Sequence, residues 1–146
     1  MLAQDLRIGD RVHAFKRDDL IIKAIVTKEL YDIDIDSILI CSIDKKFISI
    51  VKLEDIHPIV ITKELIKELG FIKHDNKYLD WKEYKLETDK GFIEISNTSN
   101  TVGKDWFVYI DNLDHEGIGS MDIQYLHELQ HIIWDCLHIE LKINKK

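Results

Sequence analysis

The first part of this chain consists mainly of short segments in which apolar residues occur at every second position. Residues typical of turns separate these segments. Residues 20–26 form a nearly continuous run rich in β-branched side chains, which is typical of a central, buried strand. Residues 11–15, 37–43 and 47–51 have strand-like patterns, and the polar residues 44–46 indicate a hairpin turn between the last two. Four or five short strands predict a small SH3-like β-barrel or a strongly bent sheet.

Pro58 marks a boundary, because its ring fixes φ and it has no backbone N–H to donate. After it, the apolar residues recur at helical spacing rather than at every second position. Thr62 is a good N-cap and Gly70 is a good residue to follow a helix end, so the spacing predicts a helix over residues 62–70. The later elements are predicted as strands at 83–87, 91–96 and 105–110 and a terminal helix at 121–138.

These patterns together predict an α+β fold in two parts. A β-rich, barrel-like subdomain is expected at residues 1–61. An α-β-β-β-α subdomain with an antiparallel sheet of three or four strands is expected at residues 62–146. The chain has 146 residues, a length that suits two small subdomains sharing one core.

The charge balance limits the classes of partner. The chain has 27 acidic and 20 basic residues, whereas binding along a phosphate backbone requires a basic face, so general DNA binding is excluded. From Thr62 onward there are 16 acids and 11 bases, against 11 and 9 before it. This acidity favours nucleic-acid mimicry or an acidic protein-binding face. A small anionic ligand would need a basic pocket, for which the candidates are Lys73, His74, Lys77 and Lys104.

Cysteine usage and hydropathy predict a cytoplasmic protein. Cys41 and Cys136 lack C-x-x-C spacing, which favours reduced thiols in a reducing compartment. No apolar run approaches the roughly 20 residues of a membrane span. Residues 1–5 lack the basic and apolar regions of a signal peptide.

Residues 127–131 read H-E-L-Q-H, a literal H-E-x-x-H motif. On a helix, His127 and His131 are one turn apart and can bind one Zn²⁺, and Glu128 could act as general base on the metal-bound water. A rotation of about 100° per residue places His138 on the same polar stripe. The apolar stripe of this helix consists of Leu126, Leu129, Ile133 and Leu137.

A zinc hydrolase also needs a third protein ligand. The positions that hold Gly and His in the metzincin extension are Trp134 and Leu137 here, and His138 comes one residue late. An upstream ligand, His115 or Asp114, stays open. The leading interpretation is therefore a solvated face of histidines without a metal. The alternative is a zinc site formed by the three histidines of the polar stripe.

An acidic run at residues 32–36 has the alternating aspartates that begin a calcium loop. The sixth position of such a loop would be Ser37 rather than Gly, and the twelfth would be Ile43 rather than Glu. Strict alternation fits a half-buried strand with a polar outer face better.

Three motifs of the chain, at residues 6–10, at 58–71 and at 125–130 with 140–141, resemble those of a family of small, uncharacterised phage, prophage and mobile-element proteins of gut bacteria. That family opens with an L-R-I-G-N/D segment, continues with P-I-x-L-T-E-E…L-x-x-L/F-G-F, and closes with a Y-V-H-E/Q-L-Q-N…G-E-E-L helix. The similar segments in this chain are residues 6–10, 58–71, 125–130 and 140–141.

The resemblance also bears on the histidine motif. Where the family typically has Asn and Gly, this chain has His131 and His138, so the resemblance does not imply an inherited zinc mechanism. Because no complete catalytic constellation is found in the sequence, this resemblance and the two-part architecture predict a non-enzymatic accessory protein of a phage or mobile element that binds a host or viral partner, either a protein or a small ligand. The alternative function is a zinc-dependent hydrolase that uses residues 127–131. The oligomeric state stays open.

Overall fold

A computed structural model describes residues 6–26, 37–75, 82–97, 106–114 and 117–141. The acidic run at 32–36 lies outside these residues. The chain divides into two compact units, Met1–Ile59 (unit 1) and Val60–Lys146 (unit 2).

Unit 1 is built on a four-stranded antiparallel sheet in which neighbouring strands follow chain order. Its strands are β1 (Arg11–Ala14), β2 (Arg17–Val26), β3 (Ser37–Ser42) and β4 (Ile48–Lys52), followed by a 3-10 turn at Leu53–Asp55. The four strands predicted in this part of the chain are confirmed. These residues form strands because β-branched side chains pack well on a pleated surface. One face of the sheet forms the core of the unit, with Leu20, Ile22, Ile38 and Ile40 fully buried.

The prediction of an SH3-like β-barrel is wrong, because the sheet of unit 1 stays open. A barrel requires the ladder to continue from the last strand back to the first. Strand β1 has only four residues, and the described part shows a single bridge, from His13 to His57, on its far side. One bridge does not extend into the ladder that closure needs.

Unit 2 contains a five-stranded antiparallel sheet, again in chain order, with one helix before it and one after it. Its elements are α1 (Lys63–Glu68), β5 (Ile72–Asp75), β6 (Lys82–Thr88), β7 (Gly91–Asn97), β8 (Trp106–Asn112), β9 (Gly117–Ile123) and α2 (Leu126–Leu137). Helix α2 packs against β8, and the sheet face beneath it buries Ile93, Ile95, Val108 and Ile110.

The predicted ends of α1 are confirmed. The Thr62 hydroxyl accepts a hydrogen bond from the Leu65 N–H at 3.2 Å, which satisfies one of the donors that a helix start leaves without an intrahelical partner. Gly70 follows the helix with a φ of 92°, a conformation that favours glycine. Leu65, Ile66 and Leu69 are buried on one side of this short helix.

The predicted α+β class is also wrong, since the structure is mostly β, with nine strands and two α-helices in the described part. The sheet of unit 2 has five strands rather than three or four, because the prediction missed β5 and β9. Strand β5 is only four residues long and polar, and β9 contains two glycines and a break in register opposite Val108/Ile110. Residues 121–123, predicted as helical, complete β9.

Within the described residues, no helix is both long enough and apolar enough to cross a membrane.

Candidate functional site

The face of the five-stranded sheet opposite the buried core forms the candidate site. Strand alternation and register place on this face, named here the acidic–aromatic face, the residues Ile72, His74, Glu83, Lys85, Glu87, Phe92, Glu94, Ser96, Phe107, Tyr109, Asp111 and Asp122. Five of these side chains are carboxylates, one is a lysine, and three are phenylalanine or tyrosine; the others are Ile72, His74 and Ser96. Such a surface favours cations and disfavours phosphate groups.

Cross-strand register brings these residues into rows. Lys85 of β6 lies opposite Glu94 of β7, which lies opposite Tyr109 of β8. In the next row, Phe92 lies between Glu87 and Asp111. Side chains in direct cross-strand pairs have Cβ atoms about 4.5–5.5 Å apart and interact. Each aromatic ring of these two rows therefore lies beside carboxylates.

One cation of the chain is already held on this face. The Lys85 ammonium nitrogen lies 4.3 Å from the centroid of the Phe92 ring. The same nitrogen lies 3.2 Å from a carboxylate oxygen of Glu87. The arrangement combines a cation–π contact with an ion pair, which is how an aromatic and acidic surface binds an amino or guanidinium group.

Tyr109 offers a second aromatic position. Its ring centroid lies 6.0 Å from that of Phe92, and its hydroxyl donates a hydrogen bond to Asp111 at 3.4 Å. Desolvation, together with the negative charges of Asp111 and Glu94, raises the pKa of Tyr109. The hydroxyl therefore keeps its proton at physiological pH and donates it in the hydrogen bond to Asp111. Gly117 leaves space for this hydroxyl, since a Cβ at that position would clash with it.

The H-E-x-x-H residues lie on α2, as their spacing predicts, but the glutamate has a structural role. The Glu128 carboxylate accepts hydrogen bonds from the backbone N–H groups of Gln124 and Tyr125, at 2.8 and 2.9 Å. These bonds cap the helix start, where a negative charge also interacts favourably with the helix dipole. A carboxylate engaged in this way is poorly placed to activate water.

The interpretation of the three histidines as a solvated face is wrong for His127, because the histidines of the polar stripe differ in their surroundings. His127 is buried and stacks on the Tyr125 ring with a centroid distance of 5.9 Å, and the His131 ring lies 5.8 Å from His127. His138 is exposed at the helix end and contacts Trp134 instead. Across the described residues, no three His, Cys, Asp or Glu side chains form a group that could hold a metal ion.

The remaining candidate ligands do not form a described cluster with the histidines. Asp114 is exposed, and its backbone N–H donates to the Asn112 side chain at 3.1 Å, whereas His115 lies outside the described residues. Of the candidates for a basic pocket, Lys73 and His74 are exposed on β5. Lys77 and Lys104 lie outside the part of the chain that the structure describes.

Neither cysteine is in a disulfide. Cys41 is buried in unit 1, and Cys136 is half-buried on α2. Desolvation and the charge of Asp135 raise the pKa of Cys136. Since the thiolate is the reactive form, Cys136 is a weak nucleophile at neutral pH.

Comparisons with protein-family models, curated proteins and solved structures found no match for this chain. The candidate site therefore rests on the residues described above.

Proposed function

We propose that this chain is a non-enzymatic accessory protein of a phage or mobile element, and that it binds a basic segment of a host or viral protein through its acidic–aromatic face. The Lys85 ammonium group between the Phe92 ring and the Glu87 carboxylate is the observation that carries this proposal. A lysine or arginine of a partner could make the same two contacts at Tyr109, which has Glu94 and Asp111 as cross-strand and same-strand neighbours. The motif resemblance supports the mobile-element assignment.

Electrostatics supports a basic partner over an acidic one. The face carries five carboxylates and one ammonium group on adjacent strands. At physiological salt their field extends over about 8 Å, so it mainly increases the rate of encounter with cations close to the face. An arginine guanidinium is the better fit, since it can pair with a carboxylate through two hydrogen bonds while stacking on a ring.

The aromatic rings supply the apolar part of the contact. Phe92, Phe107 and Tyr109 are only partly buried, and Tyr109 is 37% exposed. Aromatic side chains offer large contact area at low entropic cost and often dominate binding energy. A partner that combines arginines with flat or apolar side chains therefore fits this face better than free polycations do.

The first experiment measures binding of a fluorescently labelled panel of arginine-containing peptides by anisotropy. We expect the best peptides to bind, and the double variant Glu94→Gln/Asp111→Asn to weaken them about tenfold, since two exposed ion pairs and part of a cation–π contact together contribute about 1.4 kcal/mol. Tyr109→Ala should have a comparable effect.

The matched control is Glu64→Gln/Glu68→Gln, which removes the same charge from exposed positions on α1. We expect this control to change affinity less than twofold. Equal weakening by both double variants would mean that the peptides respond only to net charge, and the proposed site would then be wrong.

Metal analysis distinguishes the binding protein from the zinc-hydrolase alternative. After purification without chelator, we expect well below one Zn²⁺ per chain, and peptide binding that is unchanged by EDTA. The alternative would gain support from one Zn²⁺ per chain that resists dialysis and is lost in both His127→Ala and His131→Ala. Zinc-dependent cleavage of a peptide library by the same preparation would contradict the non-enzymatic proposal.

A further inference from the structure

Strand β4 lies at the end of the four-stranded sheet of unit 1, and in the described residues only β3 pairs with it. Its two isoleucines, Ile48 and Ile50, are 67% and 70% exposed. Long, apolar edge strands favour pairing with another chain, and proteins usually protect them. This strand, with the turn before it and the 3-10 turn after it, is named here the β4 edge (residues 44–55).

The backbone groups of β4 alternate between β3 and the open side. The Ser42 N–H donates to the Phe47 carbonyl at 2.8 Å, so this cross-strand pair is hydrogen-bonded. Antiparallel pairs alternate between hydrogen-bonded and non-bonded, and the β3–β4 register is regular. The N–H and C=O groups of Ile48, Ile50 and Lys52 therefore point away from β3. The Ile50 carbonyl has one long contact, at 3.5 Å, from the Ser49 hydroxyl.

The apolar side chains of the β4 edge extend a wider apolar area. Ile50 lies opposite Leu39 and Ile48 lies opposite Cys41, on the sheet face away from the core of unit 1. Leu39 is half-buried and Cys41 is buried. A strand added beside β4 would cover exposed isoleucine surface as well as satisfying backbone groups.

Charge along the β4 edge indicates which strand fits. Lys45 and Lys46 precede β4, and Glu54 and Asp55 follow it, so the two ends of the β4 edge carry charges of opposite sign. The nearby pairs Lys46–Asp44 and Lys52–Glu54 span 3.8 and 3.7 Å and are exposed. Exposed pairs of this kind contribute little to stability, so they do not prevent further contacts. An antiparallel second copy brings the lysine end against the acidic end of its partner, and the reverse.

We propose that two copies of this chain form a symmetric dimer by antiparallel pairing of their β4 edges about a two-fold axis at Ile50. Ile50 then faces the partner's Ile50, and Ile48 faces the partner's Lys52. These are residues whose backbone groups point outward, so each such pair can exchange two hydrogen bonds. The proposal concerns unit 1 and does not depend on the partner proposed for unit 2.

A competing symmetric register has its axis at Ser49. It places Lys46 opposite the partner's Lys52, and like charges directly opposite destabilise a strand pair. It also leaves the outward groups of both copies of Lys52 beyond the paired segment of β4. The register centred on Ile50 is therefore favoured over the one centred on Ser49 by both charge and hydrogen bonding.

Sedimentation velocity and light scattering over a range of protein concentrations test this dimer. We expect a species of twice the 17.2 kDa chain mass that dissociates on dilution. Ile50→Lys places two ammonium groups at the axis and should raise the dimer dissociation constant at least about tenfold. The matched control is Ile72→Lys on β5, where the isoleucine is 75% exposed, and it should leave the dissociation constant unchanged.

Charge reversal tests the register. Lys46→Glu and Glu54→Lys should each weaken the dimer, and the double variant should restore it, because the reversed charges meet again across the interface. Circular dichroism should show that all variants keep the fold, since the changed side chains are exposed. A monomer at every concentration would overturn the proposal. So would a dimer that is insensitive to Ile50→Lys, or one that the double reversal does not restore.

Discussion

Leu129→Asp is expected to unfold unit 2. Leu129 is fully buried on α2, the helix that packs against β8. A carboxylate at this position would lose its hydration without gaining a partner, which costs several kcal/mol, while the whole stability of a small protein is about 5–15 kcal/mol. Loss of the cooperative thermal transition of unit 2, followed by circular dichroism, is the measurement.

Two further variants separate the effect of lost apolar contacts from the effect of a buried charge. Leu129→Ala removes apolar contacts without adding charge and should destabilise the protein by about 2–5 kcal/mol. Trp134→Asp puts the same carboxylate on the same helix at a side chain that is 46% exposed, and it should have a much smaller effect. An unchanged melting temperature for Leu129→Asp would contradict the packing of α2 described above.

Gly91→Ala is expected to cause the second largest loss of stability. Gly91 begins β7 with a φ of 141°, a conformation that L-residues rarely adopt. An added Cβ would clash with the carbonyl oxygen of Asp111 and lie 2.9 Å from the Asn112 Cα, both in the backbone of β8. Because backbone cannot rotate away as a side chain can, β7 and β8 would have to separate locally. We expect a loss of at least about 2 kcal/mol.

Gly9→Ala provides the control for this clash. Gly9 also has a positive φ, 98°, but no atom lies within 4 Å of its added Cβ. Its substitution should therefore cost only the conformational penalty, about 1 kcal/mol. Urea unfolding of both variants, compared at constant m-value, gives the difference. Equal losses would show that the close approach of β8 to Gly91 has no energetic consequence.

The sequence predicts an element well where its apolar pattern is strong. Strands β2 and β3 have runs of β-branched residues, and α1 has both a capping threonine and a terminal glycine, so local preference and tertiary packing agree. Strands β5 and β9 lack this agreement. Their residues are polar or glycine-rich, and they are strands because the neighbouring strand provides a ladder. Pairing with a neighbouring strand is a tertiary interaction, and the spacing of apolar residues along the chain does not reveal it.

The candidate site can likewise be predicted in part from the local pattern and in part only from strand pairing. Alternation along the chain predicts that Phe92 lies on the opposite side of its strand from Ile93, and that Phe107 and Tyr109 share a side. What the sequence leaves open is register, since a shift of one residue exchanges the two faces of a strand. Only the pairing of β6, β7 and β8 reveals that Lys85, Glu94 and Tyr109 form a row. The H-E-x-x-H motif is the converse case, because its glutamate is also the third residue of α2, where a carboxylate caps the helix start.

The two proposed surfaces have a joint consequence. A dimer formed through β4 carries two copies of the acidic–aromatic face, so a partner with two basic segments could bind both. The second contact would then form at the effective concentration set by the spacing of those segments, and the apparent affinity could exceed that of a single face by orders of magnitude. A monomeric variant such as Ile50→Lys would lose this gain while keeping the affinity of each face.

The two thiols can report the unfolding of unit 1 and unit 2 separately. The sequence contains two cysteines, and the division of the chain assigns Cys41 to unit 1 and Cys136 to unit 2. Burial protects Cys41, and the raised pKa of Cys136 slows its alkylation, so each thiol becomes fully reactive when the unit around it opens. Peptide mapping after a short alkylation pulse at increasing urea would therefore follow the opening of both units in one sample, with no engineered label.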